Sequence, residues 1–208
     1  MEINIKTLKG ETTTNKVTLA DNIFAIEPNQ HAIYLDVKQY LAMQRQGTHK
    51  SKQRAEIKGS TKKLKKQKGT GGARCGSAKS PIFVGGGRAF GPVPRFYGFK
   101  LNKKLKQLAR RSAFSLKATA DAIIVVDALK FETHKTKEFI AASKALGFEG
   151  KRVLVVLNDS EPTAILSARN VQKVKVVDVT SLNTYDVMNA NVILMGANSV
   201  ESINQLFA

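Results

Sequence analysis

A chain of 208 residues, 42% of them hydrophobic, suffices for one generous domain or for one domain plus an appendage. Its single cysteine, Cys75, excludes an internal disulfide and a multi-thiolate metal site, and no apolar run approaches the roughly eighteen residues of a membrane span. The formal net charge of +18 sits in one stretch: Arg45 to Arg111 holds twenty Lys and Arg against one acid, Glu56, while the remainder holds fourteen basic and fifteen acidic residues.

The N-terminus carries Glu2 and Glu11 and lacks an apolar h-region, so a secretory signal is not expected and a soluble protein of a reducing compartment is. Ile3 to Leu8 reads as a small β element, followed by a polar turn around Gly10 to Asn15. A helix is predicted after Pro28, with Ile33, Val37, Tyr40 and Leu41 on one face and Gly47 placed to end it. From there to about Phe99 periodicity vanishes. More than fifty residues without regular structure lies outside ordinary loop lengths, so the segment is functional or disordered, with Gly71-Gly72 and Gly85-Gly86-Gly87 as its most flexible points. Ile82, Phe83, Val84, Phe90, Phe96, Tyr97 and Phe99 gather toward its far end, either as its return to a folded body or as platforms for bases.

Regularity resumes at Asn102, a good N-cap residue, with Leu101, Leu105, Leu108, Ser112 and Leu116 as the expected inner stripe of a helix. Apolar runs then recur at Ile123–Val126, Val153–Leu157, Val174–Val179 and Val192–Met195, separated by helical stretches at Lys135–Leu146, Pro162–Arg169 and Thr184–Ala190. A last helix is expected from Ser199 to Phe207. Continuous apolar strands alternating with helices predict a three-layer α/β/α body with a mainly parallel sheet of about four strands. Residues 1–46 and 99–208 would form that body, and residues 47–98 a long, irregular, basic loop extension.

Each candidate catalytic motif has a plainer reading. Gly69-Thr70-Gly71-Gly72-Ala73-Arg74 lacks the third glycine of a dinucleotide fingerprint and the flanking strand and helix, and Gly85-Gly86-Gly87-Arg88 fails as a P-loop. His31, His49 and His134 show no metal-ligand spacing, and Cys75, between Arg74 and Lys79, has no base partner in view. Asn158-Asp159-Ser160-Glu161-Pro162 follows a strand, where α/β enzymes bind ligands, but reads first as a helix cap. No catalytic residue, cofactor or metal is predicted.

The basic stretch is too charged to be an ordinary solvated face. Its charges would repel one another without a counter-ion lattice, and nucleic acid is the strongest candidate. If about ten of them met phosphates, log affinity would fall with log salt at a slope of roughly −7 to −9. The interspersed glycines would let backbone amides approach phosphates closely. The alternatives kept open are an α/β enzyme on an anionic or nucleotide substrate with a basic tether, and a polycation for acidic membranes or proteins. The absence of an amphipathic apolar face in residues 47 to 80 argues against membranes.

The motifs then line up. Arg45-Gln46-Gly47-Thr48, Gln67-Lys68-Gly69-Thr70-Gly71, Gly76-Ser77, Ser80-Pro81, Gly85-Gly86-Gly87, Phe90-Gly91-Pro92-Val93-Pro94-Arg95 and Leu101-Asn102-Lys103-Lys104 follow in order, with Ala168-Arg169-Asn170 and Lys173-Val174 in the body. In combination they resemble the bacterial form of the universal large-subunit ribosomal protein four family, over essentially the whole chain. The resemblance implies a cytoplasmic, non-enzymatic constituent of the large (50S) subunit. It implies a body on the subunit surface and a loop that binds 23S-type ribosomal RNA early in assembly and contacts several RNA domains. The basic residues expected on RNA are Arg45, Lys50, Lys52, Arg54, Lys58, Lys62, Lys63, Lys65, Lys66, Lys68, Arg74, Lys79, Arg88, Arg95, Lys100, Lys103 and Lys104. The loop tip, Lys62 to Arg74 with Gln67, Lys68, Gly69 and Thr70 foremost, would line the polypeptide exit tunnel beside the nascent peptide and a loop of another ribosomal protein. A loop of this length, half out and half back, could reach about 90 Å at about 3.4 Å per residue. Two departures stand out: Lys63-Leu64-Lys65-Lys66 stands where many relatives have Lys-Pro-Trp-Arg, and Gly72 where the family tends to have arginine.

Overall fold

The four apolar runs form four strands of one sheet, three of them interior and one, Val174–Asp178, at its edge. The computed structural model describes residues 1–129, 131, 133–158 and 162–207, and these divide into two compact units, Met1–Leu41 with Lys100–Ala208 and Ala42–Phe99.

The first unit holds β1 (Glu2–Lys6), β2 (Thr12–Thr18), α1 (Asp21–Phe24), α2 (Gln30–Met43, which runs two residues past the boundary), α3 (Lys103–Thr119), β3 (Ile123–Val126), α4 (Thr136–Ala145), β4 (Val153–Leu157), α5 (Pro162–Ala168), β5 (Val174–Asp178), α6 (Thr184–Asn189), β6 (Val192–Gly196) and α7 (Ala197–Phe207). The strands make one sheet in the order β2-β1-β3-β6-β4-β5, antiparallel between β1 and β2 and parallel elsewhere. The mixed α/β class stands, but the sheet has six strands where about four were expected. The N-terminal hairpin supplies the difference. β2 covers residues read from the sequence as a polar turn, because an edge strand leaves Thr12, Asn15 and Lys16 in solvent and so lacks an apolar run. The turn itself is Thr7–Glu11, where Gly10 holds φ +89° and a Cβ would meet the Ala145 carbonyl oxygen at 2.5 Å.

Alternate residues of the central strands enter two separate apolar clusters, as the two-residue period of a strand requires. Ile123, Val125, Leu154, Val156, Ile193 and Met195 join Phe24, Ile33, Phe114, Val200 and Ile203. Val126, Val153, Val155, Leu157 and Leu194 join Phe139, Leu146, Phe148 and Ala164. Phe114 is fully buried between the Phe24 and Phe207 rings, with centroids 5.3 and 6.3 Å away.

Two helix faces differ from expectation. On α3, Ala109, Ser112, Ala113, Phe114, Ser115 and Ala118 point inward, while Leu108 of the expected stripe is exposed and Leu101, Leu105 and Leu116 are only half-buried. Small residues win because they admit a neighbouring backbone: Ser112 Oγ accepts from Asn29 N–H at 3.1 Å, and Ser115 Oγ donates to the Ile26 carbonyl at 2.5 Å. Asn29 Oδ1 in turn caps α2 by accepting from Ala32 N–H at 3.0 Å. Asn102 precedes α3 as expected, but its side chain makes no capping bond. On α2, Leu41 is exposed, and the helix ends at Met43, four residues before Gly47. The capping motif beginning at Asn158 lies, for Asp159 to Glu161, outside the described residues.

Candidate nucleic-acid interface

The second unit contains no helix or strand beyond the end of α2, apart from a single antiparallel bridge between Lys63 and Ser77. Its chain nevertheless pairs with itself. Arg95 N–H donates to the Gly47 carbonyl at 3.1 Å, Ser51 to Pro92 at 3.0 Å, Arg88 to Lys52 at 3.0 Å and Leu64 to Gly76 at 3.0 Å. The outgoing limb therefore runs antiparallel to the returning one, and the turn between them is centred on about Thr70. Glycine makes the limbs fit. A Cβ on Gly87 would lie 2.4 Å from Arg54 N and one on Gly91 1.8 Å from Ser51 Oγ, and within the returning limb one on Gly86 would lie 1.9 Å from the Ser80 carbonyl oxygen. Gly86 and Gly87, expected to be points of flexibility, are places of close backbone approach; Gly71 and Gly85 are open.

The base of the limbs is a clasp that the sequence did not disclose. The guanidinium carbons of Arg45 and Arg95 lie 3.9 and 4.5 Å from the Tyr97 ring centroid, and the Tyr97 hydroxyl is 3.4 Å from His49 Nε2. Hydrogen bonding by Arg95, and then the positive charge of both arginines, hold the Tyr97 hydroxyl below the ordinary tyrosine range. Gly47 underlies the clasp at φ +63°, where a Cβ would sit 2.1 Å from the Arg95 carbonyl oxygen and 2.9 Å from the Tyr97 ring. Exposed cation–π contacts contribute only about 0.5–1 kcal/mol each, so the clasp orders two like charges without neutralising them.

Residues 42–99 hold fourteen Lys and Arg and one acid. That acid is engaged locally. Glu56 accepts from Lys50 Nζ at 2.5 Å and from Gln53 N–H at 3.2 Å, closing the turn Gln53–Ile57, and these bonds hold its carboxyl below the usual range. Lys63 donates to Gln67 Oε1. Of the expected RNA-contacting set in this unit, every member is exposed except the half-buried Lys79. Lys100, Lys103 and Lys104 belong to the other unit, at and before the start of α3, and are exposed. Gln67, Lys68, Gly69 and Thr70 lie in the turn between the limbs and are exposed. So are Ile82, Val84, Phe90 and Phe96 of the apolar group, whereas Phe83, Tyr97 and Phe99 are half-buried.

The sequence also gave no sign of a basic cleft of about 430 Å³ in the body, lined by Arg152, Lys173, Lys175, Tyr185 and Asp186 among others. Lys175 Nζ bonds both oxygens of the buried Asp186 at 2.6 and 2.7 Å, and Asn183 Nδ2 donates to Asp186 Oδ2 at 2.9 Å. This cleft lies where β4 and β5 begin, opposite the strand ends at which α/β enzymes hold ligands. No group of three or more His, Cys, Asp or Glu able to hold a metal occurs among the described residues, and no described helix is long and apolar enough to cross a membrane.

Relatives agree with the motif series. The chain is 59% identical over 203 residues to the large ribosomal subunit protein uL4 of Christiangramia forsetii, covering 98% of each chain. It is 56% identical over 206 residues to the protein of that name from Cytophaga hutchinsonii, covering 99% of each. It is 57% identical over 205 residues to that of Flavobacterium psychrophilum, covering 99% of this chain and 98% of the relative. The family described as "Ribosomal protein L4/L1 family" matches residues 17–206, and the chain belongs to it.

Proposed function

We propose that the chain is a non-enzymatic structural constituent of the large ribosomal subunit in the cytoplasm, and that residues 42–99 bind 23S-type ribosomal RNA during early assembly. The carrying observation is the exposed basic array of that unit, whose one acid is already engaged by Lys50. Paired limbs with outward charge suit insertion among RNA strands, since phosphates on either side meet cations without displacing an acid. The body is read as three layers, with α4 and α5 over one sheet face and the remaining helices over the other. The turn at Gln67, Lys68, Gly69 and Thr70 is read as the part that reaches the polypeptide exit tunnel, beside the nascent peptide and a neighbouring ribosomal protein.

The test is a salt titration of large-subunit RNA binding by the full chain and by a variant lacking Gly47 to Tyr97, with circular dichroism to verify that the variant keeps its sheet. The full chain should bind tightly with a slope near −7 to −9, corresponding to about ten phosphate contacts, and the variant should lose most of both. Equal, weak and salt-insensitive binding by the two would overturn the reading.

A further inference from the structure

Within the second unit, the limbs flank an open cleft of about 960 Å³ between the turn Gln53–Ile57 and the segment Ser77–Val93. Arg54, Lys79 and Arg88 line it, Thr61 supplies a hydroxyl, and no acid stands among its lining residues. Its volume lies at the upper end for small-ligand sites, enough for a nucleotide and more than an ion requires. The contacts of Gly87 on Arg54 and Gly91 on Ser51 leave no room for side chains, so its walls are set by the fold.

Phe90, on its rim, is the second observation. Its ring is fully exposed and its backbone sits at φ +50°, a conformation that bulky residues rarely adopt. An aromatic ring offered wholly to solvent on a strained backbone gains nothing from the fold that displays it. Such strain gathers at ligand sites, where a partner repays it. A flat apolar face beside three cations matches one ligand chemistry above others: an unstacked nucleobase whose flanking phosphates reach the cations.

We propose that this cleft receives a single unstacked base of RNA, stacked on Phe90, with Arg54, Lys79 and Arg88 holding the adjoining phosphates. This rests on the RNA-binding reading above and specifies how one nucleotide is held. An apolar protein side chain could also cover Phe90, but three cations with no acid among the lining residues favour the nucleotide.

The chain contains no tryptophan, so Phe90→Trp gives the full-length protein a unique fluorophore at the site. The probes are a ten-nucleotide oligoadenylate and an abasic strand of equal length and charge, at low salt. Oligoadenylate should quench the tryptophan, and the abasic strand should bind without quenching it. In the wild-type background, Phe90→Ala should weaken oligoadenylate binding about 5- to 150-fold, the range for losing one base–aromatic stack, while the salt slope stays unchanged. Phe90→Gly, which holds a positive φ without strain, should lose the same affinity and guards against misfolding of the alanine variant. An unquenched tryptophan in the RNA-bound chain, or wild-type affinity in both ring-removing variants, would overturn the proposal while leaving RNA binding intact. If the wild-type chain binds neither strand with a steep salt slope, the RNA-binding reading itself fails.

Discussion

The two units are held by different physics. In the body, strands such as Val153–Leu157 are buried at every residue, and the buried Asp186 is matched by Lys175 and Asn183. In the 42–99 unit most side chains, and nearly all the charged ones, are exposed, and shape comes from backbone pairing and from glycines at which limbs touch. The difference teaches that one region carries its stabilising contacts within itself, while the other orders its backbone and leaves its charges for a polyanion. Mutual repulsion among those charges opposes the paired limbs until phosphates intervene.

The sharpest way to break that comparison is to perturb each region alone and read both properties. Replacing Lys62, Lys63, Lys65, Lys66 and Lys68 with Gln should make the salt slope for RNA shallower by about 3.5–4.5. That corresponds to about 3.5–4.5 decades of affinity at about 0.1 M salt if each lysine meets one phosphate. Thermal unfolding of the sheet should not move. Phe114→Ala should do the converse, costing about 3–5 kcal/mol of body stability by opening a cavity between Phe24 and Phe207. Its folded fraction should keep the wild-type slope. A lysine variant that unfolds early, or a Phe114 variant with a changed slope, would show that the two regions do not behave independently.

The sequence disclosed these regions unequally. β3, β4 and β6 were readable because strands covered on both faces leave continuous apolar runs, and the edge strand β5 because Val174, Val176 and Val177 still pack on the body. The observed ends of all four fall within a residue or so of those runs. β2 was not, because an edge strand with Lys16 and Asn15 outward has no such run. The inner face of α3 was misread because leucine signals burial more loudly than alanine, yet Ala109 and Ala113 are the residues that let neighbours close in. In the basic unit, charge is a local property and so was legible. The pairing of Gly47 with Arg95, the Tyr97 clasp and the packing of Gly87 on Arg54 join residues tens of positions apart, without a period to announce them. The glycine run was noticed, but its purpose depends on a neighbour that only the fold supplies.

A milder perturbation sharpens the comparison inside the basic unit. Gly47→Ala places a Cβ against the Arg95 carbonyl at a positive φ, which should destabilise the clasp by more than about 1 kcal/mol. RNA affinity should fall on the order of tenfold, with the number of phosphate contacts and hence the slope nearly preserved. Gly71→Ala serves as the control, because its Cβ would meet open space, although φ is +64° there as well. Equal losses in the two variants would assign the effect to backbone strain alone and not to the clasp.

The smallest expected effect concerns the only acid of the unit. Lys50 and the Gln53 amide lower the Glu56 pKa, so the folded value lies below that of the unfolded chain. A depressed carboxyl contributes stability that is present above the unfolded value and is lost as pH falls through the folded one. The Gln53–Ile57 turn should therefore persist through the ordinary glutamate range, near pH 4.5, and loosen only below it. Its protonation can be followed by the amide shift of Gln53, whose N–H donates to Glu56 Oε2. An ordinary glutamate midpoint for that shift would mean that Lys50 does not engage Glu56 in solution, leaving an acid free to repel phosphate beside Arg54. Glu56→Gln should abolish the titration, and with it the pH dependence of the turn that presents Arg54. RNA binding, which adds phosphates around Lys50, should move the wild-type midpoint upward as phosphates draw the lysine away and their negative charge disfavours a second anion.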